Sequence, residues 1–221
     1  MKYLLTDFRQ TMALKNSLPQ AAFYDVMMAR ADAAGMAGQR RELACGLSGR
    51  VLEIGCGTGL MFAHYPAAVV VEAIEPDEDS LSIARRRAEE AEATIHVSNA
   101  SALELPFERE SFDAVVIALV LCTVPDVQRA LAEVTRVLRK GAPVRLIEHV
   151  RSPNPVTGAF MSLLDPLWLL VNNQGCHMHR DTETELRKAG YELNVVVRFQ
   201  YFAPGLPAFP MRRIEATHNA K

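Results

Sequence analysis

The chain has 221 residues, of which 49% are hydrophobic and 23% are charged, and its formal net charge is -2. This composition is typical of a globular protein with enough apolar residues for one buried core. A charge so close to neutral argues against nucleic acid as a partner, because phosphate binding needs Lys and Arg gathered on one face.

The cysteines and the N-terminus indicate in which cellular compartment the protein is expected. No two cysteines form a C-x-x-C pair, which argues against a zinc site and a disulfide framework and suits a reducing compartment. Asp7 and Arg9 interrupt the first apolar residues, so no signal peptide is predicted and the cytoplasm is the expected location. The oligomeric state is left open. The four cysteines are Cys45, Cys56, Cys122 and Cys176.

The first 49 residues predict a helical cap. Pro19 separates two helical stretches, residues 1–18 and 21–47, and Gly35 and Gly38 are expected to break the second. The basic residues of both stretches are assigned to solvent-facing sides: Lys15, Arg30, Arg40 and Arg41.

A glycine-rich loop follows the apolar strand predicted over residues 50–54. Glycine takes φ > 0 without strain and leaves the backbone N–H groups open to a ligand. A helix predicted from Leu60, ended by Pro66, would turn its positive N-terminal end towards that ligand. The loop has the pattern Glu53-x-Gly55-x-Gly57-x-Gly59.

The charges around this loop indicate S-adenosylmethionine as the ligand. Leu60 stands where the NAD fingerprint has its third glycine, and Glu53 would repel a pyrophosphate but attract an ammonium group. Glu75 ends the strand predicted over residues 69–74, where a carboxylate can accept two hydrogen bonds from a ribose diol. An amine at one end and a ribose at the other describe S-adenosylmethionine.

Strand-length apolar runs alternate with amphipathic stretches from residue 50 to about 150, which predicts a doubly wound parallel sheet. Further strands are predicted over residues 94–97, 111–119 and 144–147. Ala118 and Leu119 should face the cofactor, since ligands bind where the strand order reverses. In the helix after Glu75, the basic residues are assigned to a solvated face: Arg85, Arg86 and Arg87.

The glycine loop followed by Glu75 resembles the cofactor site of class I S-adenosylmethionine-dependent methyltransferases. The resemblance implies a seven-stranded, mostly parallel sheet with an antiparallel last strand. Residues 50–221 would form this domain, and residues 1–49 its helical cap. The implied cofactor-binding residues are Tyr24, Glu53, Gly55, Cys56, Gly57, Gly59, Glu75, Pro76, Asn99, Ser101, Ala102, Ala118 and Leu119.

One departure from that family concerns the adenine contact. The family commonly reads D-A-x-x-L-P-F after the third strand, and here Ser101 replaces the aspartate. Ser101 or Asn99 could accept one hydrogen bond from the adenine, but the backbone N–H of Ala102 is expected to matter more.

Later segments narrow the resemblance to small-molecule thiol S-methyltransferases. The expected acceptor is therefore small and fairly apolar, with a thiol first and a phospholipid amine or a quinone carbon as alternatives, because those enzymes share many of the motifs. A non-catalytic module that binds the cofactor to regulate a partner is the alternative of another class. The segments are residues 119–124, Glu148-His149-Val150, Leu164-Asp165-Pro166-x-Trp168 and Gly175-Cys176.

His149 is the first candidate to accept a proton, and Asp165 and His177 come next. His177 and His179 do not share a helix face, and no third ligand is evident, so no metal site is expected. The apolar residues 159–171 are compatible with a core helix, a lid over the substrate, or a peripheral contact with membrane lipid.

The chain should end in two strands. They are predicted over residues 191–199 and 211–218, joined by a loop that contains Pro204, Pro207 and Pro210.

Overall fold

The computed structural model describes residues 17–171, 175–201 and 209–218. The helix predicted over residues 1–18 lies outside the described residues except at its last two positions. The loop positions Pro204 and Pro207 also lie outside them.

One sheet organises the described part of the chain. Its seven strands lie in the order β3-β2-β1-β4-β5-β7-β6. The first five in that order pair in parallel, whereas β7 is antiparallel to both β5 and β6. This confirms the predicted doubly wound sheet with an antiparallel last strand. The strands are β1 (Arg50–Ile54), β2 (Val70–Ile74), β3 (Thr94–Ser98), β4 (Ala114–Ala118), β5 (Pro143–His149), β6 (Tyr191–Tyr201) and β7 (Phe209–His218).

Six α-helices flank the sheet in the described ranges. A π-helical turn (Asp32–Met36) joins the first two, and Gly35 kinks the chain there with φ 114°. Gly38 lies inside the second helix, so the break predicted at Gly38 is wrong; a glycine inside a helix costs only about 1 kcal/mol. The helices are α1 (Gln20–Ala31), α2 (Ala37–Ala44), α3 (Glu78–Glu90), α4 (Val127–Val137), α5 (Pro155–Val171) and α6 (Thr182–Lys188).

Successive strand residues point to opposite faces, so the sheet separates two hydrophobic cores. Leu52 packs in the core that contains Leu131 of α4 and Leu186 of α6. Val51 packs in the other core, with Leu43 of α2. The sheet is thus covered on both faces, which the near-continuous apolar strands require.

Helix α5 presents an apolar surface to solvent. Phe160 is 59% exposed and Leu163 is 76% exposed, and Val156 and Leu167 are exposed as well. These positions rule out a core role for this side of the helix. No helix in the described ranges is long and apolar enough to cross a membrane.

A tight contact holds the start of β1. Asp113 accepts a hydrogen bond from the Arg50 N–H at 2.8 Å and pairs with Arg139. Gly49 has φ +73°, and a Cβ there would lie 2.3 Å from Asp113 Oδ2. Gly141 has the same φ of +73°, but beyond its chain neighbours no heavy atom of the described residues lies within 4 Å of its Cβ position.

These two glycines form a matched pair for a stability test. Gly141→Ala should destabilise the fold by about 1–2 kcal/mol, the cost of φ > 0 for an L residue. Gly49→Ala should cost roughly 1–3 kcal/mol more, because the Asp113 carboxylate must move away from Arg50. Urea unfolding of both variants measures the difference, and equal losses would contradict this explanation.

Candidate active site

A cavity of about 550 Å³ opens at the carboxyl edge of the parallel strands. It lies beside the end of β1, where the strand order reverses between β2 and β4. Most of the predicted cofactor residues line it: Tyr24, Glu53, Gly55, Cys56, Gly57, Glu75, Pro76, Ser101, Ala102, Ala118 and Leu119.

The glycines of the loop have different roles. All three have positive φ, at +65°, +55° and +84° for Gly55, Gly57 and Gly59. A Cβ on Gly57 would meet no heavy atom of the described residues within 4 Å, so its cavity-facing side is open to a ligand. A Cβ on Gly59 would lie 2.6 Å from the Phe62 ring. Gly59 is therefore required by packing, and it is not among the residues that line the cavity.

The helix predicted from Leu60 is wrong. Turns follow the loop, and the helical piece that the described residues form between the loop and β2 is the 3₁₀ turn Phe62–His64. Gly59 with its φ of +84° cannot begin a helix, and Pro66 leaves too few residues for one. The loop is therefore followed by a turn that brings the Tyr65 hydroxyl to 2.8 Å from Glu53 Oε2.

Glu53 is a buried carboxyl group at the end of β1. It is 1% exposed, and its Oε2 accepts a hydrogen bond from the Tyr65 hydroxyl at 2.8 Å. Burial raises the pKa of Glu53 to about 8, although the Tyr65 hydrogen bond and the charge of Arg40 oppose this. Glu53 is therefore mostly neutral at pH 7 in the free protein. A bound ammonium group would stabilise its ionised form.

Arg40 and Tyr24 extend the cavity wall beside Glu53. Arg40 is 3% exposed and pairs with Asp32 at 3.2 Å, so its assignment to a solvent-facing side is wrong. A buried guanidinium in the wall suits a ligand carboxylate. Burial raises the pKa of Tyr24 to about 12, which leaves its hydroxyl protonated and able to donate.

Glu75 is held by two backbone N–H groups. Its Oε2 accepts from Gly57 at 3.0 Å, and its Oε1 accepts from Asp77 at 3.1 Å. Burial raises the pKa of this carboxyl group. Each carboxylate oxygen has a further acceptor site, so both remain able to bind a ribose diol.

An ion-pair network fixes α1 to the glycine loop. Arg87 donates to both oxygens of Asp25, at 2.7 and 3.2 Å, and to the carbonyl oxygen of Thr58 at 2.9 Å. The Thr58 hydroxyl also donates to Asp25 at 2.5 Å. Arg87 is thus part of the site's framework, and its assignment to a solvated face is wrong.

The adenine side is formed by the loop after β3. Ser101 and Ala102 line the cavity, as expected. Asn99 does not, because its amide donates to Glu78 Oε1 at 2.7 Å and to the Pro76 carbonyl at 3.2 Å. The structure therefore gives Asn99 a role in positioning Pro76.

Glu148 shapes the opposite wall, a role that sequence reasoning missed. Its Oε1 accepts from the N–H groups of Val120 and Leu121 at 2.8 Å each, and its Oε2 accepts from Cys122 at 3.2 Å. Leu119, just before, has φ +62°, which is rare for a residue other than glycine. Burial raises the pKa of Glu148 to about 7.

The predicted catalytic residues lie next to the part of the cavity wall that Cys176 forms. His149 is 5% exposed, and its Nδ1 is 3.8 Å from Cys176 Sγ. Cys176 and Cys122 line the cavity, whereas His149, Asp165 and His177 are not among the described residues that do so. Spacing alone could not reveal the pairing of two cysteines that are 54 positions apart.

Asp165 lies beside His177 and His179, and it is the third potential metal ligand that the sequence did not reveal. Its Oδ2 contacts the Nδ1 atoms of His177 and His179 at 2.8 Å each, and its Oδ1 accepts from the Met178 N–H at 2.5 Å. Ligand atoms of the three side chains lie within 4.8 Å of one another. These hydrogen bonds explain why the three side chains lie together, because they join α5 to the segment before α6. We assign no metal to the cluster.

The fold and the cavity together resemble those of class I S-adenosylmethionine-dependent methyltransferases. The open loop at Gly57, the buried Glu53 and the Glu75 carboxylate fit S-adenosylmethionine as the cofactor.

Comparison with known proteins agrees with this class. Residues 52–146 match the methyltransferase domain family. Thiol S-methyltransferase TMT1B of Rattus norvegicus is 31% identical over 141 residues, which are 61% of this chain and 57% of that protein. Phosphatidylethanolamine N-methyltransferase of Cereibacter sphaeroides is 34% identical over 110 residues, which are 48% and 54% of the two chains. The chain thus spans a little over half the length of these curated relatives.

A solved structure shows the same fold at low sequence identity. Geranyl diphosphate methyltransferase in complex with S-adenosylmethionine is 16% identical, with a TM-score of 0.68 over 90% of each chain.

The buried Glu53 predicts opposite effects on stability and binding. The folded protein keeps a proton on Glu53 up to about pH 8, whereas an unfolded glutamate releases it near pH 4.5. Glu53 therefore makes the parent less stable as pH rises through this window. Glu53→Gln should gain stability over the parent between pH 5 and 8 by ~1 kcal/mol or more. It should also bind S-adenosylhomocysteine at least tenfold more weakly, because the ammonium loses its ionic partner.

Thermal unfolding across that pH range and calorimetric titration measure the two effects. Glu90→Gln, at an exposed position of α3, is the control and should change neither. A variant that binds like the parent would refute the role assigned to Glu53.

Proposed function

We propose that the protein transfers a methyl group from S-adenosylmethionine to a small, fairly apolar acceptor, and that this acceptor is a thiol. The observation that carries the proposal is the continuity of the cavity. The same 550 Å³ space that Glu53 and Glu75 line is also lined by apolar and thiol side chains, which we take as the acceptor end. These are Cys122, Val124, Pro125 and Cys176. The likeness to a thiol S-methyltransferase supports the same acceptor.

The chemistry suits a site with few charges. S-Adenosylmethionine supplies the methyl group on a sulfonium sulfur, which leaves as a neutral thioether when the acceptor sulfur attacks the methyl carbon. An acceptor thiolate and a sulfonium neutralise each other in this step, so an apolar wall around Val124 favours the reaction more than water does. Orientation of the two reactants can supply roughly 7–11 kcal/mol of the barrier.

The acceptor thiol must lose a proton, and we propose that a residue near Cys176 receives it. We retain His149 as the first acid–base candidate, with Asp165 and His177 next. His149 would act from behind Cys176, through their 3.8 Å contact. The buried Nε2 of His149 has no hydrogen-bond partner among the described residues, so one of its two nitrogens is uncommitted.

The exposed face of α5 favours a second acceptor class, phospholipid amines. Phe160, Leu163 and Leu167 project apolar surface into solvent, as in a peripheral membrane contact. If the acceptor is a phospholipid amine, the protein should co-sediment with phospholipid vesicles. Leu163→Ser should weaken this association. Val195→Ser, at an exposed apolar position of β6, is the matched control.

Two other readings remain to be tested. A quinone carbon acceptor would use the same apolar cavity. A non-catalytic module would bind S-adenosylhomocysteine but would turn over none of the acceptor classes.

An acceptor panel is the test of the proposed function. Small alkyl thiols should be methylated at least tenfold faster than phosphatidylethanolamine or demethylmenaquinone, because a thiol needs only a modest fall in pKa to present a strong nucleophile. Mass spectrometry of the methyl thioether and measurement of S-adenosylhomocysteine formation detect the product. A reaction without S-adenosylmethionine is the blank. Turnover of lipid or quinone with no thioether formed would contradict the thiol assignment.

A further inference from the structure

Two cysteines meet at the acceptor end of the cavity. Cys122 and Cys176 both line it, and each thiol is close enough to shift the pKa of the other. The backbone supports this contact, because the N–H of His177 donates to the carbonyl oxygen of Cys122 at 2.9 Å. Cys122 is 1% exposed, whereas Cys176 is partly exposed. Cys176 is therefore the more accessible of the two thiols to a small molecule.

The surroundings of Cys176 favour a thiolate. The interaction with the Cys122 thiol lowers the pKa of Cys176 below its ordinary value, and the Nδ1 of His149 at 3.8 Å acts in the same direction. Burial raises the pKa of Cys56, the other thiol in the cavity wall. Of these cavity thiols, Cys176 is thus the one whose position beside His149 and partial exposure favour a reactive thiolate.

We propose that Cys176 is a site of oxidation by hydroperoxides and that Cys122 resolves the product to an intramolecular disulfide. This inference goes beyond the proposed methyl transfer and does not depend on which acceptor the protein uses.

The chemistry proceeds in two balanced steps. The Cys176 thiolate attacks the distal oxygen of the hydroperoxide, and the O–O bond breaks. The alcohol leaves with a proton from solvent, and the sulfur, oxidised by two electrons, becomes a sulfenic acid. The Cys122 sulfur then attacks the Cys176 sulfur, so that an S–S bond forms and the S–O bond breaks. The hydroxide leaves as water with the proton of the Cys122 thiol.

The backbone geometry favours the second step. A disulfide needs Cα atoms about 4.4–6.8 Å apart. The hydrogen bond between His177 and Cys122 keeps position 176 beside position 122. The disulfide would remove both thiols from the cavity wall, and neither Glu53 nor Glu75 takes part in it.

The test is to oxidise the full chain with a slight molar excess of hydrogen peroxide. Free thiols are then alkylated, and the digest is mapped by mass spectrometry. The expected product is a Cys122–Cys176 disulfide that dithiothreitol reverses. Cys122→Ala should instead leave a sulfenic acid on Cys176 that dimedone captures, whereas Cys176→Ser should give neither product. The exposed Cys45 is the matched control, and Cys45→Ser should leave the disulfide yield unchanged.

Binding provides a second readout. Calorimetric titration of the oxidised protein should give an affinity for S-adenosylhomocysteine within twofold of the reduced protein, because the cofactor end is unchanged. The proposal would be overturned if Cys176 stayed reduced while Cys45 was oxidised. A dimedone adduct of the parent protein that never progresses to a disulfide would also overturn it. If the reduced protein methylated no thiol, the proposed function would be wrong. The test of the Cys122–Cys176 disulfide would be unaffected.

Discussion

The hydrogen bond between Tyr65 and the buried carboxyl group of Glu53 is the constraint on which the site depends. Glu53 lies near the end of β1, with its Oε2 2.8 Å from the tyrosine hydroxyl. It is 1% exposed, so water does not stabilise its charge. Its pKa of about 8 in the free protein reflects the unfavourable free energy of a buried carboxylate charge. An ammonium group in the cavity offsets the cost, so the fold keeps a poorly solvated acid where a cationic ligand is needed.

The sheet order places the other groups around this acid. Because β1 lies between β2 and β4, the ends of the three strands bring Glu75 and the Leu119 wall next to Glu53. The ion pair between Asp25 and Arg87 then holds α1 against the glycine loop. The cofactor end is therefore made of tightly bonded parts, whereas the acceptor end consists of apolar and thiol side chains.

Local patterns predicted the strands, the glycine loop and both carboxylates, because glycine spacing and β-branched runs act over short distances. The roles of Arg40 and Arg87 could not be predicted, since whether a charge is buried depends on partners such as Asp25 in another element. The pairing of Cys122 with Cys176 likewise exists only in the folded chain. The helix expected from Leu60 failed because the backbone at Gly59 is left-handed.

The central claim is that two carboxylates at neighbouring strand ends bind opposite ends of one sulfonium cofactor. Calorimetric titration of S-adenosylhomocysteine into the parent and Glu75→Ala tests it most directly, because Glu75 would hold the ribose. The account predicts binding by the parent and at least a tenfold loss of affinity in the variant, about 1.4 kcal/mol or more. A Glu75→Ala variant that binds as tightly as the parent would contradict it.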